Sequence, residues 1–287
     1  MSNEKIDHDR LFKELLSTFF EEFILLFFPH AHEHLEFANL RFLSEELYSD
    51  VSTGEKYRVD LLVETKMRGE TGLVIVHVEP QSYVQKAFNE RMFIYYSNLY
   101  QKYRTQILPI AMFTDDTPRS ESNTFSIQFP FADILQFQYQ IVDLKKHHWR
   151  DYVRHDNPVA AALMSKMGYT DDERIEMKKE FLRMLIRLEL DPARMSLVTG
   201  FFETYVQLDE TEEQQLKEEV SALNPKEGEK IMEVMTSYER RGREEGREEG
   251  VREGKIKVAK NLLEKQMDES FIAEVTGLSK KEIQKLR

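Results

Sequence analysis

From Asp9 onward apolar residues recur at helical spacing: Leu11, Phe12, Leu15, Leu16, Phe19, Phe20 and Phe23, with Lys13, Glu14, Ser17 and Thr18 on the other face. The pattern predicts a first helix. Residues 58–64 (RVDLLVE) and 73–79 (LVIVHVE) are short β-branched runs separated by TKMRGETG, which predicts a hairpin. Phe88, Met92, Tyr95, Leu99 and Tyr103 then share one face of a second helix. Residues 107–114 (ILPIAMFT) are almost continuously apolar, as in a strand covered on both faces. TFSIQF (124–129) and LQFQYQIVDL (135–144) read as two further strands, with Phe137, Tyr139 and Ile141 alternating with glutamines. Helix, two strands, helix, strand and further strands make a mixed α/β core.

After Trp149 the pattern turns helical. TDDE at 170–173 is a capping box, and Asp191 caps a helix that starts with Pro192. Residues 203–239 are dense in acids, which reads as a solvated helical face. In GREEGREEGVREGK, Gly242, Gly246, Gly250 and Gly254 stand four residues apart among Arg and Glu. Such spacing keeps small residues on one helix face, yet each glycine costs about 1 kcal/mol relative to alanine there. The segment is either a charged linker or a self-association helix. Beyond it, Ala259, Leu262 and Leu263, then Phe271, Ile272 and Val275, mark two short helices. Gly277 ends the second, and Ser279 with Glu282 caps a third that carries Ile283 and Leu286. This is similar to a helix-turn-helix presenting Lys280, Lys281, Lys285 and Arg287 outward to DNA. The competing reading is a basic helical hairpin that packs on a partner. The resulting division is a core over 1–148, a helical extension over 149–240, the Gly/Arg/Glu segment over 241–256 and a basic helical module over 257–287.

Composition narrows the chemistry. The chain has 287 residues and no cysteine, which removes disulfides, thiolate metal sites and cysteine nucleophiles. A formal net charge of −12 argues against a globally basic nucleic-acid binder, but a phosphate backbone meets a local patch and its bound metal. No apolar run reaches the roughly 18 residues of a membrane span, and the first ten residues are too charged for a signal peptide. A cytoplasmic, nucleoid-associated protein is the expectation.

The chemical signal lies in VIVHVEPQS (74–82). Residues i and i+2 of a strand share a face, so Glu79 and Gln81 are expected to point the same way as Ile75 and His77. Pro80 cannot donate to a ladder, which places this pair at a strand end. In the preceding run Asp60 sits between Val59 and Leu61, where a carboxylate needs a cation, a hydrogen-bond donor or a metal. If the two strands pair, Asp60 and Glu79 can converge on one hard cation, and carboxylates plus waters are what magnesium takes. Local donors satisfying both carboxylates are the alternative.

Together, DHDRLFKELL, VDLLVE, VIVHVEPQS, ERMFIYYSNLYQKY and the tail from EGREEGVREGK to IAEVTGLSKKEIQKL resemble the Rpn family of recombination-promoting nucleases, also described as transposases. That family falls in the PD-(D/E)XK superfamily, and the resemblance spans almost the whole chain. It implies a restriction-endonuclease-like mixed sheet flanked by helices, with an α-helical C-terminal extension. It also implies magnesium-dependent hydrolysis of DNA phosphodiesters, with manganese as a substitute. Asp60 and Glu79 match the metal-binding acids of the second and third core strands. Gln81 stands where most of the superfamily has lysine, and Asp9 matches an N-terminal family aspartate, with Glu14 an alternative. A degenerate core that binds DNA without cutting it is the rival.

Arg91 and Asn98, on a similar face of the second helix, are candidate phosphate contacts or an ordinary solvated face. His30, His32 and His34 would align in an extended segment as a zinc or nickel site, or lie in a surface loop. HDNPVA (155–160) reads as a loop entering a helix. Cleavage of both strands of a duplex suggests a homodimer, for which the C-terminal region is the candidate surface.

Overall fold

A computed structural model describes residues 8–43, 47–49, 56–58, 61–67, 70–79, 88–114 and 122–286. The first apolar stripe forms two helices, α1 (His8–Thr18) and α2 (Phe20–Phe27), instead of one. The chain breaks at Phe19, whose φ is −125° and ψ 44°. Successive residues of a straight helix point about 100° apart. The break lets the adjacent Phe19 and Phe20 both be buried, together with Phe12, Leu15, Leu16, Phe23 and Ile24. A short α3 (Pro29–His32) follows.

Strand β1 (Leu35–Leu43) comes next, then a small pair, β2 (Leu47–Ser49) with β3 (Lys56–Arg58). The hairpin read from the sequence is β4 (Leu61–Met67) with β5 (Glu70–Glu79), joined in register from Leu61↔Val76 to Met67↔Glu70. Helix α4 (Phe88–Tyr103) leads to β6 (Gln106–Phe113), parallel to β5. The expectation of one strand over 135–144 fails at Tyr139. There the chain leaves a separate hairpin, β7 (Thr124–Phe129) with β8 (Ala132–Gln138), and enters the main sheet as β9 (Gln140–Asp143). Among the described residues the main sheet has the order β1-β4-β5-β6-β9, with β1, β4 and β5 antiparallel and β5, β6 and β9 parallel.

Alternation gives this sheet two apolar faces. One carries Leu62, Leu73, Ile75, Ala111 and Phe113 against Phe88, Met92, Tyr95 and Leu99 of α4, closed by Phe137 and Tyr139. Of opposite parity are Leu61, Val63, Val74, Ile110, Met112 and Val142, also buried. The interior strand β6 is buried from Pro109 to Phe113, as its unbroken apolar run requires.

Helices α5 (Pro158–Leu163), α6 (Arg174–Leu188) and α7 (Pro192–Tyr205) form a bundle with α1 and α2, α5 touching α2, α6 and α7 and α1 touching α7. Every residue of α5 is buried, and Asn157 secures its start. The Asn157 amide oxygen accepts from the Val159 and Ala160 amides, while its nitrogen donates to the Glu22 carbonyl at 2.9 Å. The capping box at Thr170 and Glu173 and the Asp191 cap before Pro192 both form. Lys178 of α6 is buried and bridges Glu203 of α7, at 3.1 Å, and Glu213 of α8 (Glu210–Ser221), at 2.7 Å.

The chain divides by packing into residues 1–219 and 220–287. The second unit holds α9 (Pro225–Glu264), α10 (Glu269–Thr276) and α11 (Lys280–Gln284). All four glycines at 242–254 lie within the continuous helical backbone of α9, so this segment does not interrupt the helix.

Candidate functional site

Strand β5 ends at Glu79, directly opposite Phe113 of β6, and Phe113 lies opposite Asp143 of β9. Three parallel strands therefore finish in one row, and carboxylate residues occupy both outer places. Neighbouring strands stand about 4.8 Å apart, which separates the ends of β5 and β9 by about 10 Å. The carboxyl ends of parallel strands are where open α/β sheets gather ligands. Beside β5, β4 begins at Leu61, whose partner is Val76. The other sequence candidates of this region, Asp60 and Gln81, lie outside the described residues, as does Pro80.

Asp143 was not singled out by the sequence. It is 4% exposed, and Lys146 Nζ lies 3.2 Å from its Oδ2. His147 follows, its Nδ1 2.5 Å from the Tyr152 hydroxyl and its ring edge-on to Phe27. Burial pushes its pKa below the ordinary histidine value, against the opposing fields of Asp143 and Asp151. The available signal was a parallel in pattern: HVE and IVD each end a buried strand on an acid.

Helix α4 lies on the same face. Its Asn89 donates to the Thr124 carbonyl at 3.0 Å and accepts from the Tyr139 hydroxyl at 2.6 Å. The Arg91 guanidinium sits 5.0 Å from the centre of the Phe88 ring, and Asn98 is half-buried.

Asp9 lies in the exposed first turn of α1, where a carboxylate complements the helix dipole. Beside it His8 Nδ1 is 2.8 Å from the Tyr205 hydroxyl of α7. Burial, and then the charge of Asp9, hold that phenol far above its usual pKa. Glu14 is exposed on the same helix. The histidines do not align in an extended segment, because Pro29 at the first helical position curls residues 29–32 into the turn α3. His32 instead stacks on Phe37 and meets Glu21 at 3.3 Å. Among the described residues no group of three or more His, Asp or Glu side chains is placed to hold a metal.

The unit at 220–287 has its own core, Ala259, Ile272, Leu278 and Ile283, flanked by Ile256, Leu262, Leu263, Ala273 and Leu286. Asp268 caps α10 by accepting from the Ser270 amide, and Gly277 ends it at φ 70°. Both bonds of the Ser279–Glu282 capping box form, and α11 starts there. Lys280, Lys281 and Lys285 are exposed, and Lys280 Nζ donates to Ser270 Oγ at 2.9 Å. A cleft of about 550 Å³ runs between α9 and the α10–α11 turn, lined by Arg247, Arg252 and Lys255 with Val251, Leu278 and Glu282. Electrostatically this is a cationic helix-turn-helix on a chain of net negative charge.

Residues 252–287 match the C-terminal helix-turn-helix domain of the Rpn/YhgA-like nuclease family. No curated protein and no solved structure matches the chain. The mixed α/β sheet with its flanking helices is consistent with a nuclease-like fold. No described helix is long and apolar enough to cross a membrane.

Proposed function

We propose that the chain is a metal-dependent DNA endonuclease with a PD-(D/E)XK core, delivered to DNA by its C-terminal helix-turn-helix. One observation carries the reading: β5 ends on Glu79 at the carboxyl edge of the parallel strands, and β4 begins beside it at the residue after Asp60. The order helix, three antiparallel strands, helix, parallel strand also agrees with that core.

Two carboxylates from neighbouring strands form the hard oxygen donor set that suits magnesium or manganese. The backbone fits such a pair, since Leu61, bonded to residue 60, pairs with Val76, three residues short of Glu79. Asp60 and Glu79 would hold the ion, which when bound supplies phosphoryl polarisation and a water of lowered pKa. Gln81 has both a donor and an acceptor, so it orients water and phosphate oxygens by hydrogen bonds. It cannot add the positive charge of a lysine, and a reduced rate follows. Asp9 is retained as the N-terminal acid of the resemblance, and Arg91 of α4 as a phosphate contact. Recombination, or strand joining by a transposase in the strict sense, follows from cleavage only if a strand-transfer assay yields joined products.

Plasmid nicking with Mg²⁺, Mn²⁺ or EDTA tests the site. The expected result is metal-dependent nicking that Asp60→Ala and Glu79→Ala each abolish. Equal cutting by all three proteins sinks the assignment.

The helix-turn-helix match favours one rival, a degenerate core that binds DNA and does not cut it. It requires salt-sensitive retention that survives EDTA, disappears on removing the residues after Gly254, and brings no nicking under either metal.

A further inference from the structure

Among the described residues the β7–β8 ribbon is supported at its base. There Phe125 stacks on Phe93 of α4 at 5.2 Å, and Phe137 packs against Phe93 and Tyr96 at 5.6 and 5.1 Å. Asn89 holds the Thr124 carbonyl, and Asn123 donates to the Tyr139 carbonyl at 2.6 Å. Toward the tip the apolar character continues while the support ends. Ile127 and Phe129 have the parity of Phe125 and are 42% and 53% exposed; Ile134 is 60% and Phe131 85% exposed. Among the described residues Phe129 and Phe131 stack only on each other, at 5.5 Å and 29°. Among the described residues neither strand pairs with a third, so each keeps an open edge. A two-stranded ribbon is marginal in water without something to pack on.

Charge selects the occupant. Asp133 is the only charged residue from 122 to 142, in a chain whose residues are 32% charged. The ribbon has no Lys or Arg of its own to track a phosphate backbone or an anionic lipid surface, which stacking platforms and membrane-binding segments normally supply. At a net charge of −12, two copies repel on average, and a neutral, apolar surface lets two identical patches meet without facing like charges. The four exposed side chains offer about 480 Å² per copy, at roughly 200 Å² for each side chain fully exposed. That is over half of the roughly 800 Å² a standard interface takes from each partner, and the glutamine face and open edge can supply the rest.

We propose that the β7–β8 ribbon is the docking surface for a second copy of this chain. Two ribbons meet about a two-fold axis and bury Phe129, Phe131 and Ile134 of each against the other, as an isologous contact requires. This surface is distinct from the C-terminal region, and it does not depend on the nuclease reading.

Sedimentation equilibrium of the full-length protein over about 1–100 µM tests it. The wild type is expected to dimerise, and Phe131→Asp to weaken the dimer by roughly tenfold or more with an unchanged circular dichroism spectrum. A wild type that stays monomeric overturns the proposal, as does a Phe131→Asp protein that dimerises equally well, which is what a dimer held by α9 would give. A monomer whose vesicle or single-stranded DNA binding is lost with Phe131→Asp also overturns it, in favour of those ligands. Because the chain has no cysteine, Phe131→Cys offers a second measurement beside Gln214→Cys, at an exposed position on α8. Oxidation is expected to link the former and not the latter; equal yields contradict the two-fold contact.

Discussion

Replacing Ile283 by alanine tests how the C-terminal helical unit is built. Ile283 is the one buried residue of α11, a helix of only five residues that has no stability of its own. It packs in a small core with the buried Ala259, Ile272 and Leu278, with half-buried residues around them. Ile→Ala costs about 2–5 kcal/mol in a protein interior, and about 3 kcal/mol is a reasonable value for so small a cluster. A core of this size supplies no more than roughly 3–5 kcal/mol in total, so the variant removes most of it. Local opening should therefore rise by about 100-fold, because each 1.4 kcal/mol is tenfold. Hydrogen exchange of the amides in 269–286 measures that rise directly. Retention on duplex DNA should fall in parallel, since α11 carries Lys280 and Lys281. Ile283→Val, at about 1 kcal/mol, should keep both properties close to wild type. Protection within tenfold of wild type in Ile283→Ala, or unchanged DNA retention, refutes the reasoning.

Lys178→Met should destabilise the N-terminal unit, because it leaves Glu203 and Glu213 without the ammonium that bridges them. A fully buried pair would cost about 3–5 kcal/mol, but both carboxylates are about one-third exposed, and about 2 kcal/mol is expected. Burial raises the Glu203 pKa more than Lys178 lowers it, so the folded state holds that proton more tightly than the unfolded chain and stability falls as pH climbs through the folded value. Without Lys178 the rise is larger, and urea melts should show a wider deficit near pH 8 than near pH 5; equal deficits count against the bridge. Gly277→Val places a β-branched residue at φ 70° and should cost the C-terminal unit about 1–2 kcal/mol, read as diminished exchange protection. The cost is conformational, since the nearest atom to an added Cβ is Lys255 Nζ at 3.7 Å. Replacing Lys280, Lys281 and Lys285 together by alanine should reduce the slope of log affinity against log salt by about one for each phosphate no longer neutralised, and an unchanged slope removes these lysines from the interface.

Much of the architecture could be read where one local signal acted alone. The β4–β5 hairpin, the apolar face of α4, the unbroken β6 and the two capping boxes each depend on residues close in sequence. The errors arose where tertiary packing decides. Nothing in the stripe from Leu11 to Phe23 marks the break at Phe19, which serves the simultaneous burial of two adjacent phenylalanines. The alternation through 135–141 is unbroken, yet Tyr139 leaves one sheet for another because its hydroxyl and carbonyl are held by Asn89 and Asn123. Strand β1 escaped detection because its apolar residues change phase, from Leu35 and Phe37 to Leu40 and Phe42, over the stretch where its register with β4 shifts. At the site, the position of Glu79 at a strand end was legible from Pro80 alone. Asp143 became visible only when the register of three strands placed it in the same row.

The most direct test of the catalytic claim is the nicking rate of supercoiled plasmid by the purified full-length protein. It should be measured with Mg²⁺, Mn²⁺ and EDTA, beside Asp60→Ala and Glu79→Ala. The expected result is nicking with either metal, none with EDTA, and a loss of roughly 1,000-fold or more in each variant. Nicking that persists in EDTA, survives both substitutions, or is absent from the wild type under both metals contradicts it.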